Sequence, residues 1–189
     1  MMQQYMETKK QYPDCILFYR LGDFYEMFFD DALTVSKELE ITLTGKNCGL
    51  EERAPMCGVP YHAVDTYLNR LVKKGYRVAI CEQMEDPKSV KGIVKREVIR
   101  VVTPGTTISV DALDESKNNY LMSIVYLGDT YGISIVDITT GDYYVTEVHS
   151  LRTLMDEIHK FQPSEIVCNQ AFSVSGIDLD ALKEQERIT

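Results

Sequence analysis

Two aromatic-rich apolar runs within residues 16–29 flank a Leu-Gly-Asp break. This pattern predicts a tight β-hairpin. Successive side chains of a strand point to opposite faces, so Phe24 and Glu26 are expected on one face and Tyr25 on the other. On a helix, residues two apart would not share a face. The hairpin therefore predicts a flat apolar ring beside a carboxylate, both carried by one rigid arm.

Helical and strand-like patterns follow one another along residues 1–104. One helix is predicted over residues 2–12, and Asp30 is expected to cap a second. A third helix is predicted from Ala63 to Lys74, with Gly75 directly after its end. Brief or buried strands are predicted over residues 41–44, 76–81 and 94–102. The segment from Pro55 to His62, with one glycine and two prolines, predicts an irregular connector, and residues 45–53 predict a loop.

The polar and acidic stretch 105–119 predicts a linker between a first domain, residues 1–104, and a second part, residues 120–189. The second part begins with three strands, over residues 121–127, 132–138 and 143–148, which predict an antiparallel meander. Ser150 is expected to cap a helix that ends before Pro163, and a fourth strand follows over residues 164–168. Ribonuclease-H-like folds begin in this order. The predicted class is thus α/β: a mixed-sheet domain followed by an incomplete ribonuclease-H-like α/β domain.

Composition is typical of a soluble globular protein, with 44% hydrophobic and 26% charged residues among 189. No apolar run approaches the length of a bilayer span, and no basic-then-apolar leader is seen, so a cytoplasmic location without membrane contact is expected. The five cysteines are odd in number and scattered. They predict free thiols in a reducing compartment and no zinc site.

The net charge of −9 lies wholly within residues 105–189, because residues 1–104 hold 15 basic and 15 acidic residues. The most basic segment lies near residues 82–102. Its cations are either part of a solvated face or direct contacts to phosphates. The candidates for phosphate contact are Lys88, Lys91, Lys95, Arg96 and Arg100.

The pair formed by Phe24 and Glu26 suits the recognition of DNA bases. An apolar ring can wedge between stacked bases, and a carboxylate can accept a hydrogen bond from a base edge. The alternative is that Phe24 is a core aromatic of an amphipathic strand and that Glu26 is merely solvated.

A nuclease is the competing hypothesis, since scattered carboxylates can bind a magnesium ion when a fold brings them together. Caps, turns and solvated strand positions account for the same residues, and we predict no catalytic site and no metal site. A phosphate-binding loop of the form Gly-x-x-x-x-Gly-Lys-Ser/Thr is absent, so no ATP chemistry is predicted. The carboxylates concerned are Asp23, Glu26, Asp30, Asp31, Glu82, Asp86 and Asp137, the last at a position resembling the first-strand carboxylate of ribonuclease-H-like nucleases.

Several separated stretches, in the right order, give the chain a specific resemblance. The stretches are residues 2–5 (Met-Gln-Gln-Tyr), 18–26, 55–63, 78–83 and 103–106 (Thr-Pro-Gly-Thr). Across essentially its whole length the chain resembles the amino-terminal part of the MutS family of DNA mismatch-repair proteins. The resemblance implies that Phe24 and Glu26 are the Phe-X-Glu pair that reads a mismatch. It also implies a mismatch-binding domain followed by the start of a connector domain.

The same resemblance implies the partners of the protein. Mismatched double-stranded DNA is expected to be kinked, with Phe24 entering from the minor groove. MutL is the expected protein partner of the connector domain, so a protein-docking module is a further hypothesis for the second part. In the family, ATP and magnesium bind a carboxy-terminal domain that this chain lacks. The full-length protein is expected to be a homodimer and the fragment a monomer.

The charge distribution generates a first prediction. We expect the isolated 189-residue chain to bind a mismatched duplex weakly, because residues 1–104 carry no net charge to attract phosphates. Electrophoretic shifts on matched and mismatched duplexes of equal length would measure this. Tight, mismatch-selective binding by the monomeric chain would contradict it.

Overall fold

The structure is a computed structural model that describes residues 1–47, 49, 53–85, 92–109, 113, 117–186 and 188, with only the backbone at 185 and 186. The chain divides into two compact units, Met1–Val102 and Thr103–Thr189. No helix in the described ranges is long and apolar enough to cross a membrane.

The first unit is built on a mixed sheet of six strands in the order β3-β4-β2-β1-β5-β6. Strands β1 and β5 run parallel, and the other neighbouring pairs run antiparallel. Its elements are α1 (Met2–Gln11), β1 (Ile16–Leu21), β2 (Phe24–Phe28), α2 (Phe29–Leu39), β3 (Thr44–Lys46), β4 (Ala54–Pro60), a 3-10 turn (Tyr61–Ala63), α3 (Val64–Lys73), β5 (Val78–Gln83) and β6 (Arg96–Val102).

Helices cover both faces of this sheet, because its central strands are apolar on both sides. In β1, Phe18 faces a core shared with α2 and α3, while Leu17 and Tyr19 face a core that includes Tyr5 of α1. All four side chains are almost completely buried. The end of α3 follows the prediction: Gly75 has a φ of 89° directly after the capping residue Lys74.

A buried carboxylate ties three of these elements together. Asp31, in the first turn of α2, accepts hydrogen bonds of 2.9 Å from the backbone N–H of Leu17 in β1 and from Lys9 Nζ in α1. The predicted cap at Asp30 is wrong, because β2 passes directly into α2 and Phe28 occupies the capping position without a side-chain bond. Asp30 is exposed in the first helical turn.

The segment predicted as an irregular connector is in fact β4, which pairs with β2 on one flank and β3 on the other. Its two prolines disguise the strand. Pro60 lies opposite Phe24, but the N–H of the next residue, Tyr61, donates to the carbonyl of Asp23, so in the alternating ladder the nitrogen of Pro60 faces away from β2. Pro55 precedes the first residue that pairs with β2. Neither proline therefore removes a hydrogen bond to that strand. The brief strand β3 begins at Thr44, where the predicted strand ended.

The second unit contains a four-stranded sheet in the order β10-β7-β8-β9, with β10 parallel to β7. The predicted meander is confirmed, as is the Ser150 cap, whose Oγ accepts a 3.1 Å hydrogen bond from Thr153 N. The elements are β7 (Tyr120–Leu127), β8 (Thr130–Asp137), β9 (Tyr143–Val148), α4 (Leu151–Phe161), β10 (Glu165–Cys168), α5 (Gln170–Ser173) and α6 (Leu179–Glu186). The α/β class with mixed sheets is therefore confirmed.

Residues 103–107, which span the start of the predicted linker, pack within the second unit. Gly105 N donates a 3.1 Å hydrogen bond to Glu165 Oε2, and Asn119 Nδ2 donates one of 2.9 Å to the carbonyl of Pro104. Much of the remaining predicted linker, residues 110–112 and 114–116, lies outside the described residues.

The described cysteines are free thiols, as expected from the sequence. Burial raises the pKa of both Cys57 and Cys81 to about 12, so these thiols stay protonated at neutral pH. Cys48 lies outside the described residues.

The buried position of Asp31 generates a stability prediction. Replacing Asp31 with Ala leaves the buried N–H of Leu17 without its acceptor and Lys9 without its carboxylate partner, while Lys9 Nζ keeps its bond to the carbonyl of Cys15. The free energy of unfolding of the first unit should therefore fall by about 2–4 kcal/mol. Native-state hydrogen exchange of the β5 amides would measure it.

The neighbouring substitution Asp30→Ala is the matched control. It removes an exposed carboxylate from the same helical turn and should cost about 0.5 kcal/mol or less. Equal losses for the two variants would contradict the role assigned to Asp31.

Candidate nucleic-acid interface

The hairpin predicted from the sequence is present, with Leu21 of β1 paired to Phe24 of β2. Only Gly22 and Asp23 lie between the two strands. Gly22 has a φ of 59°, which glycine adopts without the steric cost of a side chain. A two-residue turn fixes the pairing register between β1 and β2. The register in turn fixes the face on which each β2 side chain lies.

The alternation along β2 places neighbouring aromatic rings in opposite environments. Phe24 is 46% exposed at the end of the hairpin, whereas Tyr25 is 5% exposed in the core. The ring of Tyr25 lies 6.1 Å from that of Phe18, centroid to centroid. The prediction that Phe24 and Tyr25 lie on opposite faces of the strand is therefore confirmed, and Phe24 is not a core residue.

Glu26 lies on the same face as Phe24 and forms an ion pair with Lys46 of β3. Its side chain is 14% exposed and that of Lys46 is 34% exposed. The lysine Nζ bonds to Oε2, and within the described residues no hydrogen bond reaches Oε1. The carboxylate is therefore held by one oxygen and retains a second as an acceptor.

The residue opposite Glu26 on β4 is Gly58. A Cβ atom at position 58 would lie 3.3 Å from the carbonyl oxygen of Tyr25, 3.6 Å from Glu26 Cγ and 3.8 Å from Phe24 Cδ1. The side chains of Phe24 and Glu26 therefore both lie over this glycine, and a larger residue there would crowd the β2 backbone and contact both of them.

The other face of the hairpin is fastened by Arg20. Its Cζ lies 3.8 Å from the centroid of the Tyr61 ring, its Nε donates to the carbonyl of Gly22, and its Nη1 lies 3.5 Å from Glu82 Oε1. Tyr25 donates its hydroxyl proton to the same carboxylate. Burial and the nearby Glu82 raise the pKa of Tyr25 to about 12, so the hydroxyl remains a donor. These contacts hold the turn rigidly beneath Phe24.

The basic residues predicted as phosphate contacts have different environments. Arg96 donates to the carbonyl of Arg20 at 2.8 Å and lies 5.3 Å from the Tyr19 ring, so it already has a structural role. Lys95 pairs with Glu97 on an exposed surface. Arg100 is exposed and has no ion pair within the described ranges. Phosphate contact by these three remains a prediction, and Lys88 and Lys91 lie outside the described residues.

Three of the carboxylates considered for a metal site, Glu26, Asp31 and Glu82, form separate ion pairs with Lys46, Lys9 and Arg20. In the part of the chain that the structure describes, no group of three or more His, Cys, Asp or Glu residues is arranged to hold a metal ion. Asp86 lies outside that part.

The suggested first-strand position of Asp137 is wrong, because this residue ends β8, which comes second in chain order among the strands of this sheet. Asp137 is fully buried, which pushes its pKa up. Hydrogen bonds from the hydroxyl and backbone N–H of Thr139 and from Asn119 N outweigh burial and hold the pKa below its usual value. The carboxylate therefore stabilises a turn.

Sequence reasoning missed Lys46, Gly58 and Tyr61. Gly58 lies between the buried residues Cys57 and Val59, and this alternation was the one available signal for a strand. Lys46 is 20 residues from Glu26 in the sequence, and no local pattern connects them.

Comparisons with known proteins agree with the resemblance. Residues 1–111 match the family model of MutS domain I, and residues 119–188 match that of MutS domain II. The chain is 68% identical over 188 residues to the DNA mismatch repair protein MutS of Lachnoclostridium phytofermentans, a match that covers 100% of this chain and 20% of that protein. The proteins of the same name from Ruminiclostridium cellulolyticum and Acetivibrio thermocellus are each 64% identical, over 89% and 91% of this chain and 20% of their own lengths. The chain thus spans about a fifth of the length of the curated relatives it matches.

The opposite environments of Phe24 and Tyr25 generate a prediction that needs no DNA. Phe24→Ala should lower the free energy of unfolding of the first unit by less than about 1 kcal/mol, because the ring is half exposed. Tyr25→Ala, one residue away, should cost about 3–5 kcal/mol because it leaves a cavity in the core. Hydrogen exchange of the β5 amides would compare the two variants. A larger loss for Phe24→Ala would mean that the face assignment is wrong.

Proposed function

The chain belongs to the MutS family, and on that premise we propose that it recognises mispaired or unpaired bases in duplex DNA. One observation carries the proposal: Phe24 presents a half-exposed ring at the tip of a fastened hairpin, on the same face as Glu26. Aromatic side chains of this size are normally buried, so an exposed ring on a rigid support is suited to contact with a ligand.

Phe24 is the proposed wedge. Insertion of an apolar ring between base pairs unstacks and kinks the duplex, at a cost of about a few kcal/mol per step. A mispaired base is already less well stacked and paired, so this cost is lower at a mismatch than at a matched pair. Stacking of the base on the ring recovers about 1–3 kcal/mol. Selectivity arises from the deformation cost, because a ring stacks on any base.

Glu26 is the proposed hydrogen-bond acceptor for the displaced base. Its carboxylate is aligned with Phe24 by the period of β2, and both side chains lie over Gly58. A matched base pair uses its Watson–Crick donors internally, whereas a displaced base offers a donor to an outside acceptor. The carboxylate therefore adds to the selectivity of the wedge.

We propose that the chain itself is not catalytic and that chemistry belongs to other parts of a longer protein. The resemblance supports ATP and magnesium binding by a carboxy-terminal domain and a homodimer of the full-length protein. It supports MutL as the protein partner of the second unit, and the cytoplasm as the location. Because the chain spans about a fifth of its relatives, each of these assignments is a proposal for the whole protein.

Removal of the wedge should affect mismatched DNA alone. In a full-length MutS protein that carries this chain at its amino terminus, Phe24→Ala should weaken binding to a mismatched duplex by about 1–3 kcal/mol, or about 5- to 150-fold. Matched duplex, which does not accept the wedge, should bind almost as before. Fluorescence-anisotropy titrations on paired duplexes would measure both affinities. Equal weakening on the two duplexes would show that Phe24 is a general contact and would end the assignment.

Removal of the carboxylate should have a different signature. Glu26→Ala removes one hydrogen bond to the displaced base and one negative charge near phosphates. We therefore expect matched duplex to bind slightly more tightly while the preference for the mismatch falls. The same titrations measure this, and an unchanged preference would exclude Glu26 from base recognition.

A further inference from the structure

The proposed role of Glu26 raises an electrostatic problem. A carboxylate that enters the minor groove approaches two phosphate backbones, and like charges repel one another most strongly where water is excluded. The Glu26 side chain is only 14% exposed, so solvent screens its charge poorly. Some nearby group must compensate this charge if the carboxylate is to reach a base.

Lys46 is placed to provide that compensation. Its ammonium contacts Glu26 Oε2, and its side chain extends beside the Phe28 ring, with Nζ 5.8 Å from the ring centroid. Lys46 belongs to β3, whose pairing with β4 fixes the backbone from which the side chain starts. This distance is within the range of a cation–π interaction, which favours an ammonium position near both the ring and the carboxylate.

We propose that Lys46 is a positioning residue for mismatch recognition: it serves as the counter-ion with which Glu26 enters the groove as a neutral pair. Lys46 holds Oε2 and leaves Oε1 to accept the hydrogen bond from the displaced base. This inference rests on the proposed function. It assigns to Lys46 a task that differs from direct contact with a phosphate.

The two roles of Lys46 predict opposite results for a second substitution at Glu26. If Lys46 acts as the counter-ion, its removal leaves an uncompensated carboxylate in the groove, and repulsion then outweighs the hydrogen bond that Glu26 makes. If Lys46 contacts a phosphate instead, its loss and the loss of Glu26 act independently. A double-mutant cycle measures this coupling.

The experiment uses a full-length MutS protein that carries this chain, titrated with matched and mismatched duplexes. Lys46→Met should weaken binding to the mismatched duplex by about tenfold, because it leaves the Glu26 carboxylate in the groove without its counter-ion. Glu26→Ala should weaken mismatch binding when Lys46 is present and strengthen it on the Lys46→Met background. Lys46→Arg, which keeps the charge, should restore binding and the original effect of Glu26→Ala.

Lys74→Met is the matched control, because Lys74 also forms an ion pair, with Glu38 at 2.8 Å, at the end of α3. It removes the same charge and should change affinity less than about twofold. Melting temperatures would confirm that the variants are folded. If the apolar side chain of Lys46→Met destabilises β3, the Lys46→Gln variant is used in its place.

The outcomes separate this inference from the function on which it rests. If Glu26→Ala weakens mismatch binding equally on both backgrounds, the counter-ion role is wrong, even where Phe24→Ala abolishes the mismatch preference. If Phe24→Ala leaves that preference intact in the same titrations, the proposed function itself fails. Reversal of the Glu26→Ala effect, together with rescue by Lys46→Arg, supports the proposal.

Discussion

The register of β2 is the constraint on which the candidate site depends. This strand is paired on both flanks, with β1 through a turn of two residues and with β4 along all five of its residues. A slip by one residue would bring Phe24 into the core and expose Tyr25. Because Met27 and Tyr25 are buried in the same core, such a slip would also expose apolar surface and is strongly disfavoured.

Rigidity at the tip explains how an exposed aromatic ring can be held ready for a ligand. Arg20 joins the turn carbonyl of Gly22, the ring of Tyr61 and the carboxylate of Glu82 on the face opposite to Phe24. The ring therefore loses little further freedom when it stacks on a base, and less of the stacking energy is spent on ordering the hairpin. On the face that carries Phe24, the ion pair with Lys46 restricts the Glu26 side chain.

The sequence predicted what depends on local spacing and missed what depends on distant contacts. The hairpin, the faces of Phe24 and Tyr25, and the helix that begins after Ser150 follow from residues close together in the chain. Strand β4 was missed because its prolines and glycine resemble a loop, although their positions avoid the bonds to β2. The pairing of Glu26 with Lys46 was not predictable, because only the order of β2, β4 and β3 in the folded sheet brings them together.

The most direct test of the account is a structure of a full-length MutS protein carrying this chain, bound to a duplex with a single mismatch. The account predicts that the Phe24 ring stacks on the mispaired base from the minor groove and that Glu26 lies within hydrogen-bond distance of that base, with Lys46 still beside its carboxylate. A complex in which the mismatch is contacted elsewhere, with Phe24 left in solvent, would contradict it.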